Sequence, residues 1–241
     1  MRTAAVLPVK SFARAKQRLG ESVADQLRLE LARAMVADVL LALAQTQSIE
    51  RTIVVTREES VAASAAELGA LVVEDHAEAG QSAAASLGIQ RALDEGFERV
   101  LCVPGDCPAL DPAELDALLS ASAGAGDSDD LGAASDLRAP AVTIVPDRHG
   151  AGTNGLLLAP PNAIAPSFGP DSRERHERLA RDAGIAPRVE RLSSLLLDID
   201  TGADLAALRD RLSAHSDRAS CTRSVLGQHA RTDLITIATT A

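Results

Sequence analysis

Short apolar runs alternate with longer amphipathic stretches along the first half of this chain. No other feature of the sequence limits its fold as tightly. Thr3–Val9 (TAAVLPV), Arg51–Thr56 (RTIVVT), Leu71–Glu74 and Arg99–Val103 (RVLCV) read as buried strands. Helical spacing fills the gaps. Residues 23–44 place Leu27, Leu31, Met35 and Val39 on one face, with Ser22 as the expected cap. Residues 58–68 form a second helix closed by Gly69, and residues 81–95 a third. Asp111 with Pro112 opens a fourth. Strands joined through helices imply right-handed crossovers and parallel pairing. The expected class is therefore α/β, a three-layer α/β/α sandwich around a mostly parallel sheet.

Further along, Ala139–Val145 and Asn154–Leu158 read as strands, and residues 171–183 as a helix. Leu195–Ile199 reads as a late strand. Thr201 with Asp204 resembles a capping box that opens a last helix, ending near Leu212. Residues 120–137 are small and acidic and read as a surface loop. Residues 1–212 are taken as one domain. Residues 213–241 are taken as a tail, poorly ordered or weakly docked, with Leu234–Ala238 open as a strand.

Composition narrows the partners. The formal net charge is −10, and no basic cluster stands outside one N-terminal loop, so nucleic acid is not expected. No apolar run reaches the length of about 18 residues that a membrane span needs. The start does not resemble a signal peptide. Cys102, Cys107 and Cys221 form no CxxC pair, which fits neither a disulfide framework nor a zinc site and points to the cytoplasm.

In such sheets ligands bind beyond the carboxyl ends of the strands, and each of those places carries chemistry-bearing residues. After the first strand, Leu7–Leu19 holds Lys10, Arg14, Lys16 and Arg18 without one acid. Lys10 and Lys16 are the chain's only lysines among 24 cationic residues. Lysine is a compact point charge and recurs at phosphates, so this loop is read as a polyphosphate site. It is not a P-loop, because GxxxxGK[ST] is absent. After the fourth strand, Asp106 in VPGDCPALD can reach a magnesium ion, which takes one or two carboxylates and fills its shell with phosphate and water. Asp198 and Asp200 are two apart and would share one face of a strand, where they ligate the same cation, Asp200 being favoured, unless Asp200 or Thr201 serves only as a helix cap. Thr153 and Asn154 end a glycine-rich turn, and Gly169 precedes Ser172 at a helix start, together suiting a small anion. Arg173 or His176 would add charge, although His149 and His176 are taken as surface residues. Gly80, Gln81 and Ser82 open the third helix where a nucleobase could approach. Cys107 is read as packing.

LPVKxxxxAKxRL, GDCPALD, GTN, FGPDSxxxH and LDIDTxxDL, in this order over residues 3–212, resemble the phosphoenolpyruvate/2-phospholactate guanylyltransferases. That family makes the activated intermediate for the deazaflavin coenzyme F-420. The resemblance implies a nucleotidyltransferase fold of the nucleotide-diphospho-sugar type. It implies that Lys10, Lys16 and Arg18 hold the triphosphate of GTP, and that Asp106 with Asp200 or Asp198 holds Mg2+. It also implies that Thr153, Gly169 and Ser172 hold a small phosphorylated carboxylic acid. A downstream transferase would take the product. Gln81-Ser82 departs from the Leu-Asn pair expected there. Monomer and homodimer both stay open. Two other readings compete. A molybdopterin or sugar nucleotidyltransferase is one, but the GGxxxRxG loop of that type is absent. A non-catalytic nucleotide-binding regulator is the other.

Overall fold

A computed structural model describes residues 1–12, 19, 23–121, 139–214 and 217–239, with side chains to residue 229. Strands β1 (Thr3–Val9), β2 (Arg51–Thr56), β3 (Leu71–Glu74), β4 (Arg99–Cys102), β5 (Ala141–Pro146), β6 (Thr153–Ala159) and β7 (Arg188–Val189) form one sheet. Their order is β3-β2-β1-β4-β6-β5-β7. The helices are α1 (Asp25–Gln45), α2 (Glu59–Glu67), α3 (Gln81–Asp94), α4 (Pro112–Ala121), α5 (Ser172–Asp182), α6 (Gly202–Ala214) and α7 (Ser220–Thr239). The expected three layers are present. Alternate residues of the central strands face opposite ways. Leu7, Val54 and Leu101 pack with Val36, Val39 and Leu43 of α1 and Leu115 of α4. Val6, Ile53 and Val100 pack with Ala85 and Ile89 of α3.

Strands β1 to β4 are parallel, as the crossovers predict. Strand β6 is antiparallel to both β4 and β5. This has a consequence for the site. β6 begins at the rim where β1 and β4 end, so Thr153 and Asn154 arrive beside the segments following Val9 and Cys102. Strand β5 ends at the same rim.

Two sequence expectations are corrected. Leu195–Ile199 is not a strand. Ser193–Leu195 forms a 3-10 turn, and the next residues join no sheet. They still alternate, with Leu197 and Ile199 buried against Leu205 and Leu208 of α6. Leu234–Ala238 lies within α7 and is helical. Within the segment taken as a poorly ordered or weakly docked tail, residues 220–239 form helix α7. Asp38, buried in α1, accepts hydrogen bonds from the N–H groups of Cys221 (2.9 Å) and Thr222 (2.8 Å). Those donors belong to the first turn of α7 and have no partner within the helix. Leu226 packs in the same cluster as Leu31 and Met35 of α1. The capping box is present: Thr201 N–H donates to Asp204 Oδ2 at 2.7 Å, and Asp204 N–H donates back to Thr201 Oγ1 at 3.3 Å. Ser22 and residues 122–137 of the acidic loop lie outside the described residues, and α1 shows no side-chain cap.

Candidate active site

The rim holds a cleft of about 680 Å³, a size suited to a nucleotide-sized ligand. Lys10 lies in it directly after β1, and Asp106 four residues past β4. Asp198, Asp200, Thr153, Gly169, Ser172, Gly80 and Gln81 line the same cleft. The far-apart segments thus meet. Lys16, Arg18 and Arg14 lie outside the described residues.

Backbone and side-chain bonds fix this meeting. Ile199 N–H donates to the Asp106 carbonyl at 3.1 Å, tying the late segment to the loop after β4. Asn154 at the start of β6 donates from Nδ2 to the Leu195 carbonyl (2.7 Å) and to Asp198 Oδ1 (3.2 Å). Asp200 N–H donates to Asp204 Oδ2 at 3.1 Å. Burial pushes the Asp198 carboxyl above the usual range, and the negative charges of Asp106 and Asp200 push the same way against the opposing Asn154 bond. Carboxylates crowded in this manner gain from a cation. Among the described residues no group of three or more His, Cys, Asp or Glu side chains forms a complete metal cage. One or two carboxylates with nucleotide oxygens and water completing the shell is the arrangement magnesium favours. The oxygen-only donor set fits that ion.

Next to Lys10, Glu58 Oε1 accepts the Phe12 N–H (2.7 Å), and Glu78 Oε1 accepts the Ser11 N–H (3.3 Å). These two carboxylates hold the chain where it leaves Lys10. Gly80 has φ +105°, a backbone that suits glycine at the entry to α3. Ser82 does not line the cleft; its Oγ accepts the Phe168 N–H at 2.8 Å and ties α3 to the loop before α5.

Another side of the cleft is built around the start of α5. Gly169 (φ +111°) and Asp171 (φ +54°) turn the chain into the helix, and Ser172 is almost fully buried. Asp171 makes no side-chain cap. Arg173 adds no free charge, because it bonds Glu177 (2.9 Å) and the Gly150 carbonyl (2.9 Å). His176 is corrected from a surface residue to a buried one, with no exposed surface. Burial, helped by the Arg175 charge, pushes its pKa down to about 4, so it is neutral and adds no charge either. Cys107 is buried, as expected of packing.

A family model described as "Guanylyl transferase CofC like" matches residues 3–215. The chain belongs to this family. A curated relative from Conexibacter woesei, named phosphoenolpyruvate guanylyltransferase, is 44% identical, with 97% of this chain and 99% of that protein covered. One of the same name from Sphaerobacter thermophilus is 35% identical, covering 86% and 93%. Among solved structures, a putative nucleotide-diphospho-sugar transferase from Desulfovibrio desulfuricans superposes with a TM-score of 0.73 at 17% identity, over 96% of each chain. A nucleotidyl transferase from Methanothermobacter has a TM-score of 0.61 at 20% identity, over 88% and 98%. At those identities the likeness speaks for the fold.

Sequence reasoning passed over several residues that line the cleft of this CofC-like chain. Asp75, Glu78 and Asp147 are there; His149, taken as a surface residue, is exposed and also lines the cleft. Asp75 is buried and accepts the Glu78 N–H at 2.9 Å. Their signal was position: each follows β3 or β5 at the rim where Lys10 follows β1. Of the membrane question the structure says one thing: no described helix is long and apolar enough to cross a bilayer.

Proposed function

We propose that this chain transfers GMP from GTP to phosphoenolpyruvate. The observation that carries the reading is the shared cleft. A lysine after β1 and the carboxylates of Asp106, Asp198 and Asp200 line one cavity in a chain of the CofC-like family. Relatives at 44% and 35% identity bear the name phosphoenolpyruvate guanylyltransferase, which favours that acceptor over 2-phospholactate.

Lys10, joined by Lys16 and Arg18 of the same loop, binds the triphosphate. Thr153, Gly169 and Ser172 bind the acceptor. An oxygen of the acceptor's phosphate bonds to the α-phosphorus of GTP. The bond from that phosphorus to the bridging oxygen breaks, and the electron pair leaves on pyrophosphate. No proton has to move, because the nucleophile is already an anion. The protein's work is therefore positioning and charge neutralisation. Asp106 with Asp198 or Asp200 would hold Mg2+, whose positive charge would offset that of the triphosphate. The unbridged thiols suit a reducing cytoplasm. The product is an activated diester, which a downstream transferase in deazaflavin coenzyme assembly would consume.

The experiment is to incubate the protein with GTP, magnesium and either acceptor, with the consuming transferase present to draw off the labile product. Pyrophosphate should appear with phosphoenolpyruvate. Its absence with both acceptors overturns the reading.

A further inference from the structure

His176 bonds at both ring nitrogens. The Ser167 backbone N–H donates to Nε2 at 2.8 Å, and Nδ1 lies 3.0 Å from Thr153 Oγ1. A backbone N–H can only donate, so Nε2 must be the bare nitrogen. The single ring proton of a neutral imidazole then sits on Nδ1 and is donated to the Thr153 oxygen. With that lone pair taken, the threonine hydroxyl must point its own hydrogen elsewhere. Thr153 lines the cleft, and among the described residues its side chain makes no other hydrogen bond. The ring is held in place as well. It is wholly buried and meets Phe168 edge-on at 5.2 Å, with an interplanar angle of 73°. Arg175 anchors the same loop through the Ser167 carbonyl (3.0 Å) and the Phe168 carbonyl (3.1 Å).

We infer that His176 is a positioning residue: its Nδ1–H fixes the Thr153 hydroxyl as a donor aimed into the cleft, at an anionic oxygen of the acceptor substrate. The opposite tautomer would make Thr153 donate to the ring and turn its lone pairs on the ligand, which an anion would reject. Burial serves this role, because a protonated imidazole could not accept the Ser167 N–H. The inference rests on the reading of Thr153 as an acceptor ligand.

Two variants separate the ring's two bonds. An asparagine amide nitrogen falls near the Nδ1 position, and a glutamine terminal amide near Nε2. His176→Asn should keep the KM for phosphoenolpyruvate within about threefold of the native enzyme. His176→Gln should raise it roughly tenfold or more, the scale of one hydrogen bond to a charged group, with the KM for GTP unchanged. Thr153→Val should raise it similarly, and the double variant His176→Gln/Thr153→Val should be no worse than Thr153→Val alone. Equal KM values for the two histidine variants, or additive losses in the double variant, overturn the inference. If Thr153→Val leaves the acceptor KM unchanged, the reading of Thr153 as a ligand fails instead. Nitrogen-15 NMR of the native protein needs no variant. The His176 ring should show a protonated Nδ1 and a bare Nε2 at neutral pH, and the reverse pattern refutes the proposal.

Discussion

Asn154 joins β6 to the acidic segment, and replacing it tests how firmly that segment is held. Its amide donates to the Leu195 carbonyl at 2.7 Å and to Asp198 Oδ1 at 3.2 Å, from a side chain that is almost buried. Asn154→Leu keeps the heavy-atom branching and removes both donated bonds. A neutral hydrogen bond contributes about 1 kcal/mol net, and one to a carboxylate about 1.5–3 kcal/mol. The second bond is long and Asp198 is only half-buried, so the lower figure applies. The expected loss is therefore about 2–3 kcal/mol, or roughly 5–10 °C in Tm for a chain of this size. Asn154→Asp should cost more at neutral pH, since it sets another carboxylate against Asp198 and an acceptor against the Leu195 carbonyl. Lowering the pH should relieve it. Urea denaturation at pH 7 and pH 5 measures both variants. Stability within about 0.5 kcal/mol of the native protein for both, the scale of an ordinary surface change, would refute the reasoning.

Three further outcomes follow from particular contacts. Asp38→Ala removes both acceptors from the first turn of α7, so that helix should loosen by roughly 2 kcal/mol; limited proteolysis should then cut within α7 while the rest of the chain survives. Gly88 in α3 faces β1 so closely that an added Cβ would lie 2.4 Å from Val6 Cγ1, and Gly88→Ala should cost about 1–3 kcal/mol in a denaturant melt. Asp198 titrates above the ordinary value of 3.8 in the folded state, so its contribution is fully present below that pH and is lost as pH rises through the raised value. Asp198→Asn should accordingly gain Tm relative to the native protein as pH climbs from 3 to 7 without divalent ions. A difference that stays flat contradicts the sign.

The residues that sequence reasoning placed best are those whose position follows from topology. Lys10 and Asp106 each follow a run of buried residues, and a parallel sheet gathers such ends at one rim. Asp198 and Asp200 reached the cleft for a different reason from the one anticipated. Their period of two belongs to an extended segment whose Leu197 and Ile199 bury against α6, not to a paired strand. Alternation reports which side is apolar and is silent on hydrogen-bond partners. The burial of His176 was missed because RERHER reads as a charged, solvated face. The signal was the spacing of Ser172, His176 and Ala180, one buried line at every fourth residue. The helix α7 was not read, and its docking was left as weak at most, because its anchor lies elsewhere, in Asp38, an acid set within the apolar stretch AMVADVLLALA of α1. Such a residue, buried in an apolar helix, signals a partner, since an uncompensated buried charge is costly. Strand β7 spans two residues, too short for any pattern.

Charge explains why the two most legible regions belong together. Asp75, Glu78, Asp147 and Asp171 join Asp106, Asp198 and Asp200 around the cleft, and among the described residues Lys10 is the lysine that meets them. The chain as a whole carries −10. A triphosphate entering such walls meets repulsion from near groups, since distant charges are screened beyond about 8 Å at physiological salt. Local cations must supply the difference. Under the proposed function they come from two places: the loop of Lys10, Lys16 and Arg18 on one side, and the ion held by Asp106 with Asp198 or Asp200 on the other. Neither suffices alone. The loop's cations would offset the nucleotide's charge and not that of the acids, and the acids would attract an ion whose charge the nucleotide shares. Nucleotide and divalent ion should therefore bind with positive coupling, each tightening the other by the same factor, as linkage requires. Titrating GTP at rising magnesium, and magnesium at rising GTP, measures that factor from both sides; independent binding would show that the acidic walls and the basic loop do not act on one ligand.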